Sequence, residues 1–153
     1  MKPAGILFVC LGNICRSPLA EGIFRHLVAT QNRIRQFEIA SAGTGGWHIG
    51  DPPDPRSIAV AKRNGIDISA QRGRKVVPED FERFDLILGM DRNNVATLQA
   101  LAPAGAQPKI HLFSMAAMGQ PTDVPDPYYG GSSDFEAVYS MLFEGCSSLL
   151  GKL

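Results

Sequence analysis

Four short apolar runs set the tightest limit on how this chain folds. GILFV (residues 5–9), FEIASAG (37–43), FDLILGM (84–90) and PKIHLF (108–113) are rich in strand formers and too short to be core helices. Between them the period changes. Residues 18–30 place Leu19, Ile23 and Leu27 on one helical stripe. Asp54-Pro55 reads as a cap followed by a first helical position, and Asn64-Gly65 as the stop of that helix. Asp91 caps a third helix running to about Leu101, and residues 135–150 form the last. The stretch 116–134, rich in Pro, Gly and Ser, reads as loop. GILFV does not alternate with polar residues, which predicts a strand buried on both faces, as in a parallel sheet. Strands alternating with helices predict an α/β fold: a doubly wound parallel sheet of four strands with helices on both faces and right-handed crossovers. At 153 residues the chain is one domain, 1–153, with no internal repeat.

Ligands in such folds bind at the carboxyl ends of the strands. The first strand ends at Cys10 and runs into CLGNICRS (residues 10–17). Gly12 permits unusual dihedrals and Asn13 tolerates the left-handed region, so the loop can turn several N–H groups inward around an anion. The helix that follows, read as starting near Ser17 with Pro18 first in the helix, points its positive end at the same place. Glu21 lies one residue too far from Ser17 for a capping box. The N–H groups, the helix terminus and Arg16 all favour a thiolate at Cys10. Arg16 supplies a planar fork for two phosphate oxygens, and Ser17 can donate to the sulfur. Other readings of the two loop cysteines are small buried hydrophobes or half of a metal site. A nucleotide P-loop would need the glycine-lysine pair that is missing here.

Bulk composition removes several partners. Lys+Arg and Asp+Glu number 15 each, so nothing points to nucleic acid or an anionic membrane surface. No segment has the apolar length of a membrane span, and the N-terminal run lacks a leader's cleavage pattern. Three cysteines suit reduced thiols, and a cytoplasmic location is expected.

FVCLGNICRSPLAE (residues 8–21) resembles the active-site loop of the low-molecular-weight protein tyrosine phosphatases, and DPYYG (126–130) is similar to that family's downstream acid loop. SAGTGGWHIGDPPDPR (41–56) and LGMDRNN (88–94) fit the same family, so the likeness spans nearly the whole chain. The resemblance implies hydrolysis of phosphotyrosine, on proteins and on small aryl phosphates, without metal or cofactor and through a phosphocysteine intermediate. It implies Cys10 as nucleophile, Arg16 as phosphate ligand and Asp126 as general acid and then base. Leu11, Gly12, Asn13, Ile14 and Cys15 fall in the phosphate loop. Asn13, Ser17 and Ser41 match a supporting polar network. Phosphate and other oxyanions are the expected inhibitors. One departure is visible: where the family often has a histidine that partners this network, SAQRGRK (69–75) offers Gln71.

The chemistry explains the need for Asp126. A phenolate, with a pKa of about 10, leaves more readily when protonated, so an acid must face it. Pro125 and Pro127 stiffen that loop. The alternative is an ordinary Asp-Pro turn, of which the chain has others at Asp51 and Asp54. Tyr128 and Tyr129 read as an aromatic wall for a flat phenol ring, or as a surface pair. Trp47 reads either as the edge of the cleft or as a loop anchor, His48 as a rim residue, and Cys146 as core. Cys15 is expected to trap an oxidised Cys10 as a disulfide, with a packing role as the alternative. Rival activities on this fold are an arsenate reductase, which needs further relay cysteines, and a redox-regulated phosphate-binding protein.

Overall fold

The computed structural model describes residues 2–153. Four strands, β1 (Ala4–Cys10), β2 (Phe37–Gly43), β3 (Leu86–Gly89) and β4 (Ile110–Leu112), form one parallel sheet in the order β2-β1-β3-β4. Six α-helices accompany them: α1 (Arg16–Thr30), α2 (Pro55–Arg63), α3 (Asp80–Arg83), α4 (Arg92–Leu101), α5 (Phe113–Met118) and α6 (Ser132–Gly151). β1 has a neighbour on each edge and a helical layer on each face. Its alternate residues Ile6, Phe8 and Cys10 pack with α1, α2, α5 and α6, while Leu7 and Val9 pack with α3 and α4. That two-sided burial is why the run does not alternate. Phe8 sits between Phe24 and Phe113, with ring centroids 5.8 and 6.2 Å away.

The strand order reverses at β1. The chain leaves β1 for β2 on one side, then crosses back to β3 on the other. The carboxyl ends of β1 and β3 therefore diverge at a switch point, where ligands bind in such sheets. Cys10 closes β1 there, and Asp91 follows the end of β3.

Several elements differ from the sequence expectation: β3 and β4 are shorter than their apolar runs, and α3 has no counterpart in it. α1 starts at Arg16, with Cys15 as its N-cap, so Pro18 is third in the helix and not first. Its missing N–H is still one of the four that no intrahelical carbonyl accepts, so the shift costs nothing. α5 occupies residues read as strand end and loop. It follows β4 without a turn and has no side-chain cap; its one local signal is Gly119, left-handed at φ 69°, at its end. α6 begins at Ser132, a turn early, where the Asp134 carboxylate accepts from Gly131 N at 2.8 Å. The other caps are as read. Asp54 accepts from Arg56 N at 2.8 Å, and Asp91 forms a capping box with Asn94. Among the described residues no helix is long and apolar enough to cross a membrane.

Candidate active site

The loop between β1 and α1 is shaped from outside by its carbonyls. Cys10 O accepts from Thr44 N and Leu11 O from Gly45 N, both at 2.9 Å. Ile14 O accepts from Asp54 N at 2.8 Å, and Cys15 O from the Ser57 hydroxyl at 3.3 Å. With the carbonyls drawn outward, the N–H groups of residues 11–15 turn inward, and among the described residues none of them has an acceptor. Such a nest of free donors at a helix N-terminus is an anion site. The close approach of the following loop requires glycine: a Cβ at Gly43 would lie 2.9 Å from Leu11 O.

Asn13 fixes the turn. It adopts φ 55°, which asparagine tolerates better than most residues. Its amide donates to Ser17 Oγ at 2.7 Å and Ser41 Oγ at 3.0 Å, and its carbonyl accepts from Arg74 N at 3.0 Å. The Ser41 hydroxyl donates in turn to Glu21 Oε1 at 2.8 Å. Because Ser17 Oγ already accepts from Asn13, its hydrogen is free to point at Cys10 Sγ, 3.0 Å away, as a thiolate requires. Asn13, Ser17 and Ser41 are buried behind the loop and act on it from there. Gln71 is not in this network; it donates to Pro18 O at 3.0 Å and so braces α1.

Arg16 is the largest fully buried side chain. Its Nη1 donates to Asp91 Oδ2 at 2.7 Å and to Val124 O at 2.9 Å, while Nη2 lies 3.6 Å from Asp126 Oδ2. Burial works against the charge, but the Cys10 thiolate, Asp91 and Asp126 outweigh it and hold the guanidinium above the usual arginine range. Asp91 thus spans two tasks, with Oδ1 capping α4 through Asn94 N and Oδ2 anchoring Arg16.

These groups meet at a cavity of about 240 Å³. Cys10, Leu11, Gly12, Ile14, Cys15 and Arg16 line it from the first loop, and Trp47, His48, Asp126, Tyr128 and Tyr129 from the loops that follow. The two tyrosine rings meet edge to face, centroids 5.0 Å apart at 87°. Tyr129 is almost wholly exposed, whereas Tyr128 is 40 % exposed. The Trp47 indole is 71 % exposed and lies against Gly45, where a side chain would have no room. The Asp126 side chain is 43 % exposed, and its Oδ1 accepts from Tyr128 N at 3.1 Å. Cys15 is buried, and desolvation, followed by the charges of Asp54, Cys10 and Asp126, pushes its thiol up to about 12. Burial also raises the thiol of Cys146, deep in α6. Among the described residues no group of three or more His, Cys, Asp or Glu is placed to hold a metal ion.

The structure therefore brings Cys10, Arg16, Asp126, the phosphate-loop residues and the aromatic group together from separate parts of the chain. Sequence reasoning missed Val124, Glu21, Arg74 and Arg56, and read Asp91 only as a helix cap. The one available signal for Asp91 was its place just beyond a strand end at the ligand-binding edge of the sheet.

The family model for low molecular weight phosphotyrosine protein phosphatase matches residues 5–153. A low molecular weight phosphotyrosine protein phosphatase of Schizosaccharomyces pombe is 44% identical over 97% of this chain and 96% of its own length. Among solved structures, a protein tyrosine phosphatase from Entamoeba histolytica with Hepes in its active site has a TM-score of 0.91 at 36% identity, over 98% of this chain and 99% of that one. Vibrio vulnificus Wzb in complex with benzylphosphonate has a TM-score of 0.87 at 32% identity, over 98% and 99% of the two chains.

Proposed function

Because this chain belongs to the low molecular weight phosphotyrosine protein phosphatase family, we propose that Cys10, Arg16 and Asp126 carry its phosphotyrosine hydrolysis through a phosphocysteine intermediate. In the first step the Cys10 thiolate attacks phosphorus while the inward N–H groups and Arg16 hold the phosphoryl oxygens. The bond from phosphorus to the phenolic oxygen breaks, and Asp126 gives its proton to that oxygen. The incoming phosphate dianion competes with Asp126 for Arg16 Nη2. In the second step the Asp126 carboxylate takes a proton from water as the water oxygen attacks phosphorus. The bond from sulfur to phosphorus breaks, and sulfur leaves as a thiolate that accepts from Ser17.

The observation that carries this reading is the convergence on one cavity of Cys10, Arg16 and Asp126, with Arg16 Nη2 3.6 Å from Asp126 Oδ2. The aromatic wall suits a flat phenol ring, so tyrosine-phosphorylated proteins and small aryl phosphates are the substrates, and phosphate and other oxyanions the inhibitors. A benzyl group carrying a tetrahedral phosphonate, the ligand of the Wzb complex, has that shape. Cys15, buried beside the same cavity, is the thiol that captures an oxidised Cys10 as a disulfide.

The test is a pH–rate profile on phosphotyrosine and on p-nitrophenyl phosphate, for wild type and Asp126→Ala. The variant should lose about 10²–10⁴-fold on phosphotyrosine and less on p-nitrophenyl phosphate, whose leaving group needs the proton less. No turnover by the fully reduced wild type, or an equal loss on both substrates, would overturn the assignment.

A further inference from the structure

The first turn of α2 stands between the phosphate loop and the acid loop and holds both. On one side Asp54 N donates to Ile14 O at 2.8 Å and Ser57 Oγ to Cys15 O at 3.3 Å. On the other side Arg56 Nη1 donates to Gly130 O at 3.3 Å. The Arg56 guanidinium lies over the rings of Tyr128 and Phe135, 5.6 and 4.5 Å from their centroids. Its orientation is set within the turn: Nε donates to Asp54 Oδ1 at 3.0 Å and Nη2 to Asp54 Oδ2 at 2.9 Å.

The acid loop has little else to hold it. Apart from Val124 and Pro127, residues 124–131 are exposed, so apolar burial offers little against the entropy of an open loop. Its first end is pinned by Val124, whose N–H reaches Met90 O at 2.9 Å and whose carbonyl accepts from Arg16. The bonds Tyr128 N to Asp126 and Gly130 N to Pro127 O are internal to the loop. Arg56 pins the far end from outside, on both the backbone at Gly130 and the face of Tyr128.

We propose that Arg56 is a positioning residue for proton transfer, holding the acid loop so that Asp126 faces Cys10, with Asp54 linking that hold to the phosphate loop. This rests on the reading of Asp126 as the proton donor. Arg56 touches no reacting atom. Its removal weakens both steps that use Asp126, but in the first step the loss depends on how much the leaving group needs the proton. A lysine does not replace it, because one ammonium cannot pair with both Asp54 oxygens, reach Gly130 O and cover two ring faces together.

The experiment is a double-mutant cycle of Arg56→Gln and Asp126→Ala, read as kcat/KM, which reports only the first step, on phosphotyrosine and on dinitrophenyl phosphate. Arg56→Lys serves as a second variant, and the melting temperature of each protein is recorded. Arg56→Gln should lower kcat/KM on phosphotyrosine about 10- to 100-fold, the scale of a small misplacement of a catalytic group. On dinitrophenyl phosphate, whose leaving group needs no proton, the loss should stay under about threefold. Arg56→Lys should lose kcat/KM in the same direction. In the Asp126→Ala background, Arg56→Gln should remove less than about a further twofold, because the two residues act on one step. An equal loss on both substrates, full additivity in the cycle, or full rescue by lysine would overturn the inference and leave Asp126 as the acid. If Asp126→Ala shows no leaving-group-dependent loss, the acid assignment falls and the inference with it.

Discussion

The Asp91 carboxylate divides its oxygens between Asn94 N at 2.8 Å and Arg16 Nη1 at 2.7 Å. Asparagine separates the two tasks. An Asp91→Asn side chain keeps a capping oxygen but then presents N–H groups to a guanidinium that also donates. If the amide flips instead, the contact survives as a neutral one and the cap is lost. In either orientation a hydrogen bond to a buried charge is weakened, worth about 1.5–3 kcal/mol. The variant should bind inorganic phosphate more weakly as a competitive inhibitor and melt at a lower temperature; an unchanged inhibition constant would show that Arg16 does not depend on Asp91. Asp91 also shows what was hidden at the scale of single residues. Its cap was legible from Asp91 itself, whereas its pairing with Arg16 spans 75 positions and has no local signature. The same holds for Val124 on Arg16, 108 positions apart, and for Arg56 on Gly130, 74 apart.

Among the elements, the junction of the phosphate loop with α1 sets the chemistry of both cysteines. Cys15 is the N-cap of α1, where the helix dipole favours a thiolate. Burial and the negative charges of Asp54, Cys10 and Asp126 win, and the thiol rises from 9.0 to about 12. Oxidation of Cys10 removes one of these charges but leaves burial, the largest cause. Because the raised value favours the protonated form, the Cys15 thiolate is scarce at neutral pH and grows as the pH climbs toward 12. After peroxide treatment, closure of the disulfide from Cys15 to Cys10 should therefore speed up about 100-fold between pH 7 and pH 9. A pH-independent rate, or recovery of Cys15→Ser by dithiol as full as that of wild type, would remove Cys15 from the protective role. Element legibility followed local punctuation. β1, β2, α2 and α4 carried apolar runs, caps or a glycine stop, and their positions were readable. α1 was placed two residues late because Pro18 mimics a first helical position. α5 was missed because it follows β4 with neither a turn nor a capping side chain.

The whole molecule places its chemistry by topology. β1 lies inside the sheet, covered on both faces, so the loop it feeds starts from a rigid base. The strand order reverses beside it, which opens room for Arg16 to meet Asp91 from beyond β3 and Val124 from beyond α5. Asp126 reaches the same cavity from a loop outside the sheet, tied to it by Val124 N on Met90 O just beyond β3, so its place depends on that bond and on side-chain anchors. This explains which part of the site the sequence revealed. The nucleophile loop is continuous in the chain and sits at a strand end, where fold class predicts a ligand; the anchors of the acid loop come from distant segments and appear only in three dimensions. The central claim is that phosphate passes through sulfur at Cys10. Its most direct test is to quench the Asp126→Ala variant during turnover of p-nitrophenyl phosphate and map the trapped phosphoryl group by peptide mass spectrometry. In that variant the second step lacks its base, so the intermediate should accumulate, with one phosphoryl group on Cys10 and none on Cys15 or elsewhere in the chain. Release of nitrophenol in stoichiometric excess over enzyme with no phosphoryl group ever found on Cys10 would contradict a phosphocysteine mechanism.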